Sequence, residues 1–107
     1  MNAEQLQKTL RASQYAEQVL SLHQVALEQD YAVDEFKHSL STENIQQFIQ
    51  DTLSNINDEI EWMKAIRILR ARLMFRWIWQ DANQLTVFVI LTRELSDFAD
   101  ASIIAAK

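Results

Sequence analysis

Five basic side chains lie close together in the sequence and could bind phosphate groups. They fall between residues 64 and 76 with no acidic residue among them, and three tryptophans lie beside them. The basic residues are Lys64, Arg67, Arg70, Arg72 and Arg76, and the tryptophans are Trp62, Trp77 and Trp79. Arginine and aromatic side chains together are typical of nucleic-acid surfaces. The other 5 basic and 15 acidic residues give the rest of the chain a net charge of −10, which favours pairing within the protein over binding of nucleic acid.

The other residue types that could do chemistry do not form a site in the sequence. His23 and His38 are fifteen residues apart, whereas helices hold metal ions with ligands three or four apart. Ser96, Asp97 and Asp100 share one predicted helix, but no base is positioned to activate the serine. We therefore predict no catalytic residue, no cofactor-binding residue and no metal ligand in this chain.

The composition excludes several classes of protein. The 107 residues contain no glycine, no proline and no cysteine. Phosphate-binding loops and tight hairpins usually need glycine, and disulfides and thiolate zinc sites need cysteine. The longest apolar run, 87–91, is far too short to span a bilayer, and the polar N-terminus does not resemble a secretory signal. We expect a cytoplasmic protein that does not bind membranes.

Apolar residues recur at helical spacing along most of the chain, which predicts an all-α protein. The pattern predicts a bundle of four to five helices in a single domain over 1–107, with helices at about 4–28, 35–40, 43–54, 59–81 and 87–106. Ser41 and Thr42 are suitable N-cap residues for the third helix. Asp58 followed by Glu61 is typical of a capping box at the start of the fourth helix.

The fourth predicted helix carries the basic block and is apolar nearly all round, which places it in the middle of the bundle. Projection at 100° per residue puts Arg70 and Arg76 on the flanks of its main apolar stripe, so we expect both to be half-buried and paired with carboxylates. Arg72 projects away from that stripe. Candidate partners are Asp81, Asp97 and Asp100. The candidate structural or interface residues are Arg67, Arg70, Arg76, Asp81 and Trp77.

Several motifs in the second half of the chain resemble a known family. They are Leu69-Arg70-x-Arg72 followed by Arg76, then Asp81, and the segment TRELSDFADA at 92–101. In these motifs the chain resembles the N-terminal helical region of glutamine synthetase adenylyltransferase. The chain has Asp34 where the family usually has a proline, and Asn83 and Gln84 where it often has a glycine.

The resemblance implies a truncated piece of a larger α+β enzyme that transfers AMP to and from a tyrosine of glutamine synthetase. In the family a nucleotidyltransferase domain follows, and paired aspartates there bind ATP and magnesium. This chain has no glycine and no Asp-x-Asp, so no catalytic residue is carried over. The implied role is a scaffold whose partners are the adjoining nucleotidyltransferase domain and, as a second candidate, glutamine synthetase. The alternative is a free-standing helical interaction module, an adaptor or regulator; the apolar end of the chain, residues 103–106, favours the truncated segment.

Overall fold

The computed structural model describes residues 1–38, 40–85, 93–94 and 96–98. The helices described over their full length are α1 (Ala3–Ala12), α2 (Gln14–Asp34), α3 (Thr42–Leu53) and α4 (Glu59–Ala82). The all-α prediction is confirmed. Of the helix predicted over 87–106, the residues 93–94 and 96–98 are described and are helical; the remainder of that prediction lies outside the described residues.

The helix predicted over 4–28 is instead two helices that meet at Ser13. Ser13 has an extended backbone (φ −153°, ψ 121°), and its hydroxyl accepts a hydrogen bond from the amide of Ala16 at 3.2 Å. This is the geometry of an N-cap, so Ser13 ends α1 and begins α2. The apolar spacing continues across the break because α1 and α2 pack against the same core. A kink at His23 (φ −131°, ψ 32°) then interrupts α2.

The helices α3 and α4 agree with the predicted ranges 43–54 and 59–81 to within one residue at each end. Ser41 and Asn44 form a reciprocal capping box at the start of α3. The Asp58 carboxylate accepts from the amide of Ile60 at 3.2 Å at the start of α4. Both helices therefore begin where side chains satisfy amides that have no partner within the helix.

The prediction of a short helix over 35–40 is wrong. The helix before it, α2, continues to Asp34 and ends in two residues with left-handed backbones, Glu35 (φ 56°) and Phe36 (φ 57°). The amide of Glu35 donates to the carbonyl of Tyr31 at 2.6 Å, which closes the last turn of α2. This is a left-handed helix terminus of the kind that glycine usually forms.

The residues cluster into two compact units. Of the described residues, the first unit contains 1–38 and 71–85, and the second contains 40–70, 93–94 and 96–98, so the helix α4 contributes to both. Six buried residues form the core of the first unit: Ala16, Val19, Leu27, Phe36, Phe75 and Trp79. Buried apolar residues of the second unit include Leu40, Ile45, Ile49, Leu69 and Phe98. The single domain over 1–107 stays a prediction.

A membrane-spanning helix would need a long apolar stretch. None of the helices in the described ranges is long and apolar enough to cross a bilayer.

Candidate functional site

A continuous set of polar contacts in the first unit lies between α4 and the end of α2. Arg72, Arg76 and Gln80 are spaced four apart on α4 and so share one face of that helix. They bind the carboxylates of Asp30 and Asp34 and two backbone carbonyls in the turn after α2. We call this set of five side chains the clamp.

Arg72 and Asp30 form the outer pair of the clamp. The Nε and Nη2 atoms of Arg72 lie 2.9 and 2.6 Å from the two carboxylate oxygens of Asp30, so the contact is bidentate. The side chains are 29% and 25% exposed. The hydrogen bonds that Arg72 donates to Asp30 raise the pKa of Arg72, although burial opposes that shift. A bidentate pair of this kind is directional as well as charged, and it fixes the approach of the two helices.

Arg76 and Asp34 form the inner pair, which is more deeply buried. Nη1 and Nη2 of Arg76 lie 3.0 and 2.5 Å from the two oxygens of Asp34, and Nη2 also donates to the carbonyl of His38. The Arg76 side chain is 9% exposed and the Asp34 side chain 14%. The guanidinium carbon also lies 5.6 Å from the centre of the Phe36 ring, within cation–π range.

The Asp34 carboxylate also organises the turn after its own helix. It accepts hydrogen bonds from the amides of Phe36 at 3.0 Å and His38 at 3.4 Å. Burial alone would raise the pKa of Asp34, but the hydrogen bond and charge of Arg76, with those two amides, hold the pKa below its usual value. The side chain is therefore an acceptor whose capacity is used within the protein.

Gln80 completes the clamp by fixing the turn that contains the left-handed residues. Its Nε2 atom donates to the carbonyls of Phe36 and His38, each at 3.0 Å. The Phe36 ring is fully buried, with its centroid 5.5 Å from that of Trp79. A left-handed backbone costs a non-glycine residue about 1–2 kcal/mol, so these contacts stabilise a turn that the chain would otherwise disfavour.

Asn83, just beyond α4, makes a related contact with the first helix. Its Nδ2 atom donates to the carbonyl of Gln5 at 3.3 Å, to the hydroxyl of Thr9 at 3.1 Å and to the carbonyl of Trp79 at 3.0 Å. Thr9 is fully buried. Side chains from the second half of α4 and the residues just after it therefore hold both α1 and the end of α2.

In the second unit a smaller set of polar contacts surrounds the start of α3. The buried carboxylate of Glu94 accepts from the amide of Leu40, and Arg93 donates to the carbonyl of Leu40 at 3.3 Å. The Thr42 hydroxyl donates to Asp97 at 2.8 Å. Asp97 thus accepts from a threonine next to the N-cap of α3.

The arginine predictions are partly confirmed. Arg76 is paired with a carboxylate as expected, but it is buried and not half-buried, and its partner is Asp34, not Asp81 or Asp97. The prediction that Arg70 is half-buried and paired is wrong, because Arg70 is exposed and none of the carboxylates in the described ranges pairs with it. Arg72 was predicted to project away from the stripe, yet it pairs with Asp30. The projection failed because it treated α4 alone and gave no weight to where α2 lies against it.

The remaining candidates separate by burial. Trp77 is 3% exposed, whereas Arg67 and Asp81 are exposed. Their roles at an interface stay predictions, and Asp100 lies outside the described residues. Sequence reasoning missed Asp30 and Gln80. One signal was available: Asp30 and Asp34 have the same four-residue spacing as Arg72 and Arg76, which is what two helices need to form two ion pairs side by side.

The geometry of the clamp fits a structural role. Each clamp arginine contacts both carboxylate oxygens of its aspartate, so the charges of the two pairs are matched within the protein. In the part of the chain that the structure describes, no three His, Asp or Glu side chains lie where they could hold one metal ion. We therefore assign no step of a reaction to these residues.

Comparison with known proteins places the chain in a wider context. Residues 3–107 match the family model described as glutamate-ammonia ligase adenylyltransferase. The chain is 70% identical over all 107 residues to a bifunctional glutamine synthetase adenylyltransferase/adenylyl-removing enzyme from Acinetobacter baylyi. It spans 12% of the length of that relative. No solved structure matches the chain at a significant level.

Proposed function

Because this chain belongs to the glutamate-ammonia ligase adenylyltransferase family, we propose that it is the helical scaffold segment of such an enzyme and positions the adjoining nucleotidyltransferase domain. The whole enzyme would transfer AMP to and from a tyrosine of glutamine synthetase in the cytoplasm, as part of nitrogen regulation. ATP and magnesium would bind in the adjoining domain, and glutamine synthetase would be the protein substrate. These activities are proposed for the whole polypeptide, of which a chain this long would be about one eighth, since it spans 12% of its relative.

The observation that carries the scaffold proposal is the clamp. Its two arginines and two aspartates are bound to one another, and Gln80 fixes the turn after α2 through two backbone carbonyls. Ion pairs this directional hold helices in one arrangement, which is what a positioning segment needs. The charge of each clamp aspartate is matched by an arginine that contacts both of its carboxylate oxygens, which suits a structural role.

Exchange of the segment within the relative tests this proposal. Three proteins are compared: the Acinetobacter baylyi relative, a deletion that lacks its matched residues, and a chimera that carries this chain in their place. Addition of AMP to glutamine synthetase and its removal are measured separately for each protein. Because the chain is 70% identical to the matched part, we expect the chimera to retain both activities and the deletion to lose at least one.

Two results would contradict the proposal. A deletion protein as active as the relative would mean that the segment positions nothing. A chimera with native helical content and a cooperative unfolding transition, but no AMP transfer in either direction, would mean that the chain does not replace the matched segment.

A further inference from the structure

The first half of α4 presents a mixed apolar and basic face to solvent. Ile60, Met63, Arg67 and Arg70 are spaced i, i+3, i+7 and i+10, so they lie on one side of the helix over about 15 Å. Ile60 is 64% exposed and Met63 46%, and both arginines are exposed. We call these four residues the exposed stripe. All four belong to the second unit.

The arginines of the basic block divide into two pairs with different surroundings. Arg72 and Arg76 are neutralised by Asp30 and Asp34. No carboxylate in the described ranges pairs with Arg67 or Arg70, although the chain as a whole has a net charge of −5. Within the described residues, two neighbouring arginines of an acidic protein are exposed beside apolar side chains and have no carboxylate partner, which is a surface suited to carboxylates from another source.

The residue types in the exposed stripe favour a protein partner. Arginine and methionine are enriched in protein interfaces, and lysine and glutamate are depleted there. A nucleic acid would match the arginines but would leave Ile60 and Met63 without apolar contact. A helix or sheet face with apolar residues bordered by two carboxylates would satisfy all four positions at once.

We infer that the exposed stripe docks on an apolar, carboxylate-bordered surface elsewhere in the same polypeptide, an inference that rests on the proposed function and names the contact. The relative is much longer than this chain, which covers 12% of it. A partner surface in the same polypeptide is present at a high effective concentration. An effective concentration of about 1 mM and a contact with a Kd of about 100 µM would leave about one-tenth of molecules undocked.

Arginine footprinting in the isolated chain and in the chimera tests the docking. Phenylglyoxal modifies accessible guanidinium groups, and mass spectrometry reports the rate at each arginine. In the isolated chain we expect Arg67 and Arg70 to react as fast as the exposed Arg11, and the buried Arg76 to react slowly. In the chimera we expect Arg67 and Arg70 to react about tenfold more slowly, while Arg11 changes little.

A crosslinking measurement tests the chemistry of the partner. The variant Arg67→Lys/Arg70→Lys keeps both charges and introduces amines that a carbodiimide joins directly to carboxylates in contact with them. We expect crosslinks in the chimera between residue 67 or 70 and an Asp or Glu outside residues 1–107. The matched control, Arg11→Lys, also places a lysine on an exposed helix and should give none.

Several outcomes would overturn the inference. Equal footprinting rates in the isolated chain and the chimera would do so, as would protection without any crosslink to a carboxylate. Protection that appears only when glutamine synthetase or duplex DNA is added, or that rises with the concentration of the isolated chain, would assign the exposed stripe to a different partner. An active chimera with reactive arginines would refute this inference alone, whereas an inactive chimera would refute the proposed function whatever the footprint.

Discussion

Replacing Arg76 with methionine should destabilise the protein far more than the same change at Arg70. Methionine keeps an unbranched apolar stem and removes the charge, so the loss reports the ion pair more than a cavity. Arg76→Met removes two hydrogen bonds to Asp34 and one to the carbonyl of His38. It also leaves the Asp34 side chain, which is 14% exposed, without its counter-charge.

The magnitude follows from the burial of the pair. Breaking a fully buried pair by removal of one partner costs about 3–5 kcal/mol. The Asp34 carboxylate would keep the amides of Phe36 and His38, which moderates the loss, so we expect about 2–4 kcal/mol for Arg76→Met. The Arg72–Asp30 pair is more exposed, and Arg72→Met should cost about 1–2 kcal/mol. For the exposed Arg70, Arg70→Met should stay within about 0.5 kcal/mol.

Urea denaturation, followed by circular dichroism and tryptophan fluorescence, measures these differences. For Arg76→Met we expect the midpoint to fall by on the order of 1–2 M with little change in slope. A double-mutant cycle with Asp34→Asn isolates the coupling between the two side chains, which should account for most of the loss. If Arg76→Met and Arg70→Met unfold at the same urea concentration, the clamp does not stabilise the fold and the structural reasoning is wrong.

Three further predictions concern the same region. The lowered pKa of Asp34 contributes stability that is complete above its ordinary pKa of 3.8 and is lost as the pH falls through the folded-state pKa. The urea midpoint should therefore fall less steeply below pH 3.8 in Asp34→Asn than in the unchanged protein. Identical pH profiles of the midpoint would contradict this. Gln80→Leu leaves the carbonyls of Phe36 and His38 without their donor and should lower the free energy of unfolding, measured in urea, by about 1–3 kcal/mol. The exposed control Gln7→Leu should change it little. Equal effects of the two substitutions would contradict the role of Gln80. Glu35→Gly relieves a left-handed backbone and should raise the free energy of unfolding by about 1 kcal/mol, whereas Glu28→Gly within α2 should lower it by a similar amount; a loss at both sites would be the wrong outcome.

Much of the helical architecture could be predicted from local signals. Ser41 and Asp58 mark the starts of α3 and α4 because their side chains satisfy amides close by in sequence. The helical spacing of apolar residues over α1 and α2 also corresponds to a packing face, since both helices contribute to the core of the first unit. Its continuity hid the break at Ser13, because two helices that pack on one core preserve the spacing of a single helix.

The clamp was harder to predict because it depends on contacts between distant residues. Arg72 and Arg76 bind side chains 42 residues earlier in the chain, and helical projection of α4 alone carries no information about which face meets α2. The left-handed residues were missed for a different reason. Without glycine the sequence gives no sign of a positive φ, and Phe36 adopts one because Asp34, Gln80 and the aromatic core hold it.

The temperature dependence of AMP transfer in two chimeras tests most directly whether the segment acts through its fold. One chimera carries this chain unchanged, and the other carries Arg76→Met. We predict equal kcat values at low temperature, where both segments are folded. The variant chimera should lose activity at a temperature about 10–25 °C below that of the unchanged chimera, in the range where circular dichroism of the variant segment shows unfolding. A fall in kcat while the variant segment is still folded would mean that Arg76 acts in the reaction. Full activity after the segment has unfolded would mean that the scaffold is not needed.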